Sequence, residues 1–292
     1  GMTTPAMKDE GYDPDYSAAL ASAASLLGPM IPPSITLIVY AGLTDASVQK
    51  LFLATLTPAV ACTVAFLVYT LWYGKKKNLP KQPKKTLKEA GKIMLDAIWA
   101  LLLPVIVLGL IFSGITTVTE AAAISCLYSA IVSLFIYKTI TFKDLLKILG
   151  DSAVSIAAIM ILVGMSKATA YVVISSQMPQ LFMGFITSFT SSRFVVLLIL
   201  NLIFLLLGCL MEGNCIIVMM VPLLLTLVKS FGIDLLQFGV MAAINIYIGC
   251  ITPPVGVSLL LGSKLGKTSI GGTFKAILPF LGISMVILIL VT

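Results

Sequence analysis

The sequence contains no histidine and few charged residues of either sign. Histidine is the commonest general base and metal ligand, so its absence argues against a histidine-based catalytic or metal centre. Charged residues make up 11% of the chain and hydrophobic residues 59%, whereas soluble domains carry about 25% charged residues. The composition therefore indicates an all-α, polytopic integral membrane protein.

Other functional signatures are also missing from the sequence. There is no Gly-x₄-Gly-Lys-Ser/Thr motif, so no nucleotide-binding loop for an ATP-driven pump is present. The cysteines lack zinc-type spacing and are interpreted as small buried hydrophobic side chains: Cys62, Cys126, Cys209, Cys215 and Cys250. A membrane-embedded enzyme would need a catalytic set that is not apparent, and a passive channel would need a continuous polar pore. Secondary transport without an organic cofactor is the function that this pattern favours.

Apolar runs long enough to cross a bilayer recur along the chain, since a membrane helix needs about 20 residues. Uninterrupted spans are predicted at 49–74, 94–113, 118–138 and 272–292. Interrupted segments are predicted at 17–42, 152–175, 193–229 and 235–265, with breaks near 28–33, 164–167, 208–214 and 249–256. A break leaves backbone groups unpaired, which hydrocarbon does not tolerate, so breaks are expected to line a cavity, bind a ligand or be buried in protein.

Lysines concentrate at 75–92 and again at Lys138, Lys143 and Lys147. Two predicted spans, 94–113 and 118–138, separate these clusters, so both lie on the same side of the membrane. The positive-inside rule makes that side cytoplasmic. The basic segment is interpreted as a topology signal beside membrane lipid rather than as a nucleic-acid site.

Two of the breaks belong to an internal repeat. An offset of 221 residues aligns Gly11-Tyr12-Asp13 with Gly232-Ile233-Asp234, and Gly28 with Gly249. The same offset aligns the Pro-Pro pair at 32–33 with the pair at 253–254. Secondary transporters place interrupted helices at corresponding positions of two halves, with ion and substrate sites between them.

The second loop, Gly249 to Gly256, shows the chemistry that such a break offers. Proline donates no backbone hydrogen bond and restricts the residue before it, so carbonyl oxygens around Gly249–Thr252 are expected to be free. With the Thr252 hydroxyl they would form an oxygen cage for a small monovalent cation. The helix that follows directs its N-terminus at the site, which suits a carboxylate. A proline kink without a ligand is the alternative for a single loop, and the duplication favours a site.

The stretch 193–229 is predicted to be a re-entrant hairpin. Its apolar arms, 194–207 and 215–228, contain about 14 residues each and would reach ~21 Å, short of a ~30 Å hydrocarbon core. Glu212 and Asn214 would then lie at the tip, where an acid is a functional candidate. A short turn outside the membrane is the alternative. Glu120 follows a helix-start pattern and is interpreted mainly as a first-turn acid.

Strings in family order over almost all of the chain resemble the large membrane subunit of TRAP (tripartite ATP-independent periplasmic, DctM-like) transporters. These strings are Pro5-Ala-Met-Lys-Asp-Glu-Gly-Tyr-Asp-Pro, Gly28-Pro-Met-Ile-Pro-Pro-Ser-Ile, Val118-Thr-Glu-Ala-Ala-Ala, Phe238-Gly-Val and Gly249-Cys-Ile-Thr-Pro-Pro-Val-Gly-Val. Glu212-Gly213-Asn214 departs from the family, many of whose members carry Asp at the hairpin tip.

The resemblance implies an inverted-repeat, elevator-type transporter in the bacterial inner membrane. It implies sodium-coupled uptake of a small organic anion such as sialic acid or a C4-dicarboxylate, with a small membrane subunit and a periplasmic substrate-binding protein as partners. The alternative is another ion-coupled elevator anion transporter that works without a periplasmic binding protein. The resemblance also implies that this chain is the C-terminal portion of a longer protein whose first helices are missing.

In this frame, residues 1–74 are the end of the first repeat, with a hairpin tail, a broken helix and a span. Residues 75–93 are a basic cytoplasmic linker, and residues 94–292 are the second repeat with hairpin 193–229, broken helix 235–265 and a last span. The predicted sodium-binding residues are Gly28, Ile31, Pro32, Gly208, Glu212, Gly213, Gly249, Thr252 and Pro253. The predicted substrate-binding residues are Ser34, Asn214, Asn245 and Gly256.

Overall fold

The structure is a computed structural model, and it describes residues 3–77, 79 and 86–292. Within these ranges the regular elements are helices. They are α1 Thr3–Asp9, α2 Pro14–Met30, α3 Ile35–Thr44, α4 Val48–Lys76, α5 Leu87–Ser113, α6 Val118–Ile131 with a π-helical turn Val132–Ile136, α7 Phe142–Ser175, α8 Met178–Phe189, α9 Arg193–Leu210, α10 Gly213–Ser230, α11 Leu235–Cys250, α12 Val257–Gly266 and α13 Ile270–Val291.

Seven helical segments of the described chain are long and apolar enough to cross a membrane by length and composition. They are 14–44, 48–76, 91–113, 118–136, 193–210, 213–230 and 270–291. The prediction of an all-α, polytopic membrane protein is therefore confirmed. The shorter apolar helices α11 and α12 form the two parts of the predicted broken helix 235–265.

The chain divides into two compact units, one of residues 1–80 and 165–292 and one of residues 81–164. In the smaller unit α5 and α6 pack in antiparallel directions. Tyr137 and Tyr128 donate hydrogen bonds from their hydroxyls to the carbonyl oxygens of Asp96 and Trp99, over 2.7 and 2.8 Å. Glu120 accepts from the backbone N–H of Thr117 in a capping box at the start of α6, which confirms its interpretation as a first-turn acid.

In the larger unit, α2–α3 and α11–α12 run in opposite directions. Lys8, in the last turn of α1, which precedes α2, donates to the carbonyl oxygen of Gly266 at the end of α12, over 2.8 Å. Tyr40, near the end of α3, donates to the carbonyl oxygen of Leu235 at the start of α11, over 2.6 Å. The start of each broken helix therefore lies beside the end of the other.

Residues matched by the 221-residue offset adopt matching local structure. Gly11 and Gly232 have positive φ angles of 82° and 62°, a conformation that glycine adopts at little cost. The side chains of Asp13 and Asp234 cap the N-termini of α2 and α11. The peptide bonds Pro32–Pro33 and Pro253–Pro254 are both cis.

The structure corrects three expectations. The predicted break at 164–167 is wrong, because α7 is continuous from Phe142 to Ser175; a lone glycine weakens a helix by about 1 kcal/mol, and no proline follows it here. The hairpin arms α9 and α10 contain 18 residues each, or ~27 Å, because both helices continue beyond the apolar runs. Of the five cysteines predicted to be buried, Cys126 is exposed and Cys215 and Cys250 are half-buried. Residues 78 and 80–85 of the predicted linker lie outside the described residues.

Candidate functional site

A cavity of about 480 Å³ lies where both breaks meet the tip of the hairpin α9–α10. Its walls come from the end of α2, the start of α3, the start of α10, the end of α11 and the start of α12. The lining residues are Ser25, Leu26, Gly28, Pro29, Pro33, Ser34, Ile35, Thr36, Glu212, Gly213, Asn214, Tyr247, Cys250, Val257 and Ser258.

Some of the predicted site residues line this cavity and others do not. Gly28, Ser34, Glu212, Gly213 and Asn214 line it, so the structure brings residues of the first loop together with the hairpin tip. The predicted residues outside the lining are Ile31, Pro32, Gly208, Asn245, Gly249, Thr252, Pro253 and Gly256. All of these assignments remain predictions of ligand contact.

Glu212 caps α10 at the tip of the hairpin. One carboxylate oxygen accepts the backbone N–H groups of Asn214 and Cys215, at 3.0 and 3.2 Å. The other accepts the side-chain amide of Asn214 at 2.9 Å. The negative charge therefore lies at the helix N-terminus, where the helix dipole favours it.

Two further helix N-termini border the cavity, those of α3 and α12. Ser34 and Gly256, their N-cap residues, form no side-chain capping bond. Ser34 is buried, and its hydroxyl lies 3.2 Å from the hydroxyl of Tyr247. First-turn N–H groups have no partner within their own helix. These two ends therefore offer donors and a positive dipole end to a bound anion.

The second loop is held by the hairpin through backbone contacts. Gly249 packs so closely on Gly208 that a Cβ at Gly249 would lie 2.5 Å from the Gly208 Cα. The N–H of Gly256 donates to the carbonyl oxygen of Cys209 over 3.3 Å. These contacts show that the predicted glycines of the second site serve close packing of the hairpin on the broken helix.

The carbonyl oxygens expected to be free in this loop are in part engaged. The Thr252 hydroxyl donates to Ile248 O over 2.8 Å, and the Thr252 N–H donates to Gly249 O over 2.9 Å. A carbonyl oxygen has two lone pairs and a hydroxyl oxygen remains an acceptor while it donates. The loop therefore retains oxygen lone pairs, in fixed positions, beside the hairpin tip.

Asn245 lies in the interface of α11 with α9. It is fully buried, and its amide donates to Asn201 Oδ1 over 2.5 Å and to Met241 O over 2.8 Å. Its own Oδ1 has no hydrogen-bond partner among the described residues. The predicted substrate contact of Asn245 thus lies on the face of α11 that packs on the hairpin, away from the cavity.

Several lining residues were not predicted from the sequence, above all Tyr247 and Thr36. Tyr247 lies two residues before Gly249 in the last turn of α11, and a tyrosine in a largely apolar helix is a signal for a polar contact. Thr36 stands two residues after Ser34 in the first turn of α3. Ser25 and Ser258 carry no sequence signal that separates them from other serines.

The whole chain, residues 1–292, matches the family model described as the DctM component of the tripartite ATP-independent periplasmic transporter. It is 36% identical over 286 residues to a C4-dicarboxylate TRAP transporter large permease protein of Pseudomonas aeruginosa. It is 33% identical over 285 residues to a sialic acid TRAP transporter large permease protein of Vibrio cholerae, and 32% identical over 292 residues to an isethionate TRAP transporter permease protein of Oleidesulfovibrio alaskensis.

These alignments cover 98%, 98% and 100% of this chain, respectively. They cover 67% of each of the first two relatives and 46% of the third. The chain therefore spans about two thirds of the length of two of these relatives and about half of the third.

Proposed function

We propose that this chain, which belongs to the DctM family of TRAP transporter large membrane subunits, takes up a small organic anion in symport with sodium. It is a multi-pass protein of the bacterial inner membrane, and its similar proteins are named as transporter permeases. The observation that carries the proposal is the cavity at which both broken helices and the hairpin tip converge.

The proposed mechanism is that of an elevator built from an inverted repeat. Two observations support it. The helix pairs α2–α3 and α11–α12 run antiparallel, and Asp13 and Asp234 cap the first helix of each pair. Interrupted helices at corresponding positions of two inverted halves are a recurrent arrangement in secondary transporters. In this proposal the first repeat ends within 1–74 and the second comprises 94–292.

The anion is proposed to bind at the N-termini of α3 and α12. Hydroxyl groups of Ser34, Thr36 and Tyr247 surround the first of these ends. Two uncapped N-termini stabilise a carboxylate by hydrogen bonding and by the dipole, without a neutralising cation. Ser34 and Asn214 are therefore retained as proposed substrate contacts, with Gly256 acting through the start of α12 and Asn245 through the packing of α11.

Sodium is proposed to bind at the two loops, where backbone carbonyl oxygens supply hard ligands. At the second loop the Thr252 hydroxyl and the carboxylate of Glu212 add side-chain oxygens. The other proposed residues act through their backbone or through close packing: Gly28, Ile31 and Pro32 in the first loop, and Gly208, Gly213, Gly249 and Pro253 around the second. A carboxylate near a cation site and a dipole-rich anion site beside it couple the two ligands electrostatically.

The orientation of the larger unit in the membrane is proposed from the distribution of its basic residues. At the end of the larger unit where α2 begins and α4 and α12 end, the basic residues are Lys8, Lys75, Lys76, Lys77, Lys264, Lys267 and Lys275. At the opposite end they are Lys50, Arg193 and Lys229. The positive-inside rule makes the first end cytoplasmic. The hairpin α9–α10 then enters and leaves from the periplasmic side.

The substrate class and partners are proposed from the relatives. Those relatives are named for C4-dicarboxylate, sialic acid and isethionate transport, all of which concern organic acids. A small membrane subunit and a periplasmic substrate-binding protein are the proposed partners.

The test is uptake by the complete transporter in proteoliposomes. Labelled sialic acid, a C4-dicarboxylate and isethionate are each supplied with the cognate binding protein, with and without an inward sodium gradient. Accumulation that requires both the gradient and the binding protein supports the proposal. Accumulation that requires sodium but not the binding protein supports the alternative, an ion-coupled anion transporter that works without a periplasmic binding protein. Uptake indifferent to sodium refutes the coupling.

A further inference from the structure

The hairpin tip is joined to the first broken helix by a side-chain hydrogen bond across the cavity. Thr36 Oγ1, in the first turn of α3, donates to Asn214 Oδ1, in the first turn of α10, over 3.1 Å. Both residues line the cavity. The bond therefore connects the start of α3 directly to the hairpin tip.

Asn214 continues this connection to Glu212. Its side-chain Nδ2 donates to Glu212 Oε1 over 2.9 Å, while its Oδ1 accepts from Thr36. An amide has one donor end and one acceptor end, so a single orientation of Asn214 satisfies both neighbours. The orientation of the Asn214 amide that bonds Glu212 within the tip is therefore also the one that accepts from Thr36 of α3.

We propose that the Thr36–Asn214 hydrogen bond is the contact that closes the hairpin tip over the cavity, with Thr36 as its positioning residue. This inference rests on the proposed function, since it takes the cavity as the substrate site. A net hydrogen bond of ordinary strength changes an opening equilibrium by about fivefold. Such a contact biases the tip towards closure and still yields to a ligand that binds the open tip more tightly.

A purely structural role for Thr36 makes a different prediction from a closing role. A structural role affects the amount of folded protein and leaves access to the cavity unchanged. A closing role alters access to the cavity in protein that is fully folded. Cys250 lines the cavity and supplies a thiol with which access is measured.

The experiment uses the complete transporter with Cys250 retained and the other cysteines of this chain replaced by alanine: Cys62, Cys126, Cys209 and Cys215. The rate of Cys250 alkylation by a small maleimide, without substrate, measures how often the tip opens. We expect Thr36→Val to raise this rate about fivefold. Thr36→Ser keeps the hydroxyl and is expected to keep the slow rate.

Thr63→Val is the matched control, because the Thr63 hydroxyl donates to Ala59 O within its own helix over 2.8 Å. We expect it to leave the alkylation rate at the parent value. An unchanged rate in Thr36→Val, or an equal acceleration in Thr36→Ser or Thr63→Val, overturns the proposal. Gel filtration confirms that the compared variants are folded.

A reversible cross-link gives a second measurement. In a cysteine-free background, Thr36→Cys with Asn214→Cys is expected to form a disulfide on oxidation, to stop uptake, and to regain the uptake of the unoxidised variant on reduction. Uptake that continues with the cross-link formed contradicts the proposal even where sodium coupling holds. Faster alkylation of Thr36→Val in a transporter that ignores sodium supports the closing contact and refutes the coupling instead. Where the double variant lacks uptake before oxidation, the alkylation rates decide.

Discussion

The two broken-helix loops share a sequence pattern but place matching glycines in opposite surroundings. Gly249 packs against the backbone of Gly208, while no atom lies within 4 Å of a Cβ built on Gly28. Gly28 lines the cavity and Gly249 does not. A glycine repeated in sequence therefore serves close helix packing in one loop and open space in the other.

The two loops therefore have different structural roles. The second loop is held against the hairpin by the Gly208–Gly249 contact and by the bond from Gly256 to Cys209. The first loop supplies Pro29, Pro33 and Ser34 to the cavity wall. Repetition of a motif thus indicates a shared backbone design, and the packing around each copy decides which face is available to a ligand.

The largest effect is expected from the glycine pair. Gly249→Ala places a methyl group against the backbone of Gly208, which cannot move aside as a flexible side chain does, and should reduce the free energy of unfolding by about 3 kcal/mol. Gly28→Ala meets open space and should change it by less than about 1 kcal/mol, with the better helix propensity of alanine favouring a gain. Thermal unfolding of the purified chain in detergent measures both, and equal losses would break the comparison.

A second contrast concerns the residues that begin the second half-helices. Gly256 has a φ of 51°, and a Cβ there would lie 2.8 Å from Thr252 O. Its counterpart at the 221-residue offset is Ile35, a helical residue that is 55% exposed. Gly256→Ala should cost about 2 kcal/mol, and Ile35→Ala about 0.5 kcal/mol.

Urea or thermal unfolding of the two variants compares these costs. An alanine tolerated equally well at 256 would show that the loop relaxes out of its positive φ. Such a result would make the two loops more alike than their packing indicates.

The spans and the two Pro-Pro loops were predictable from the sequence because an apolar run or a Pro-Pro pair marks each of them. The re-entrant depth of the hairpin stays a prediction, since its helical arms are longer than the apolar runs indicated. Apolar runs, Pro-Pro pairs and the 221-residue offset can all be recognised in the sequence without knowing which helices pack together. The prediction of a break at 164–167 was wrong. Gly164 and Ser166 resemble the other breaks in composition, but no proline follows them. Proline, which removes a donor and restricts the preceding residue, was the decisive part of the pattern.

The lining of the cavity was less predictable because it depends on helix rotation. Residues two apart on an α-helix point in nearly opposite directions, since each residue turns the helix by about 100°. Asn245 therefore faces α9 while Tyr247 faces the cavity, and Cys250, three residues on, shares the face of Tyr247. No neighbouring sequence signal shows which face of α11 the hairpin covers.

Sodium dependence is expected to distinguish the loops by a smaller effect. Thr252 offers a hydroxyl oxygen at a position that Ile31 occupies in the first loop. Thr252→Ala in the complete transporter should raise the sodium concentration for half-maximal uptake about fivefold, from the loss of one oxygen contact. Thr252→Ser restores the hydroxyl and should restore most of the sodium affinity. A sodium dependence in Thr252→Ala that matches the parent would count against the oxygen cage at the second loop.

The smallest expected effects concern the N-caps of α2 and α11, where the two broken helices are alike. Asp13 accepts the N–H groups of Asp15 and Tyr16 at 2.8 and 3.4 Å, and Asp234 accepts those of Leu236 and Gln237 at 2.8 and 3.1 Å. Loss of an N-cap side chain costs about 1 kcal/mol, so Asp13→Ala and Asp234→Ala should each lower the free energy of unfolding by that amount. The loss should be slightly larger at Asp234, whose second bond is shorter.

The double variant sharpens this test, because the two caps lie at opposite ends of the larger unit and share no partner. Costs at such separated sites are expected to add within about 0.5 kcal/mol. A loss well above the sum would show that the starts of α2 and α11 are coupled through the packing of the broken helices. Additive and nearly equal losses of unfolding free energy at Asp13 and Asp234 would show that the two broken helices are equivalent at their starts. Unequal losses at Gly28 and Gly249 would show that they differ at their breaks.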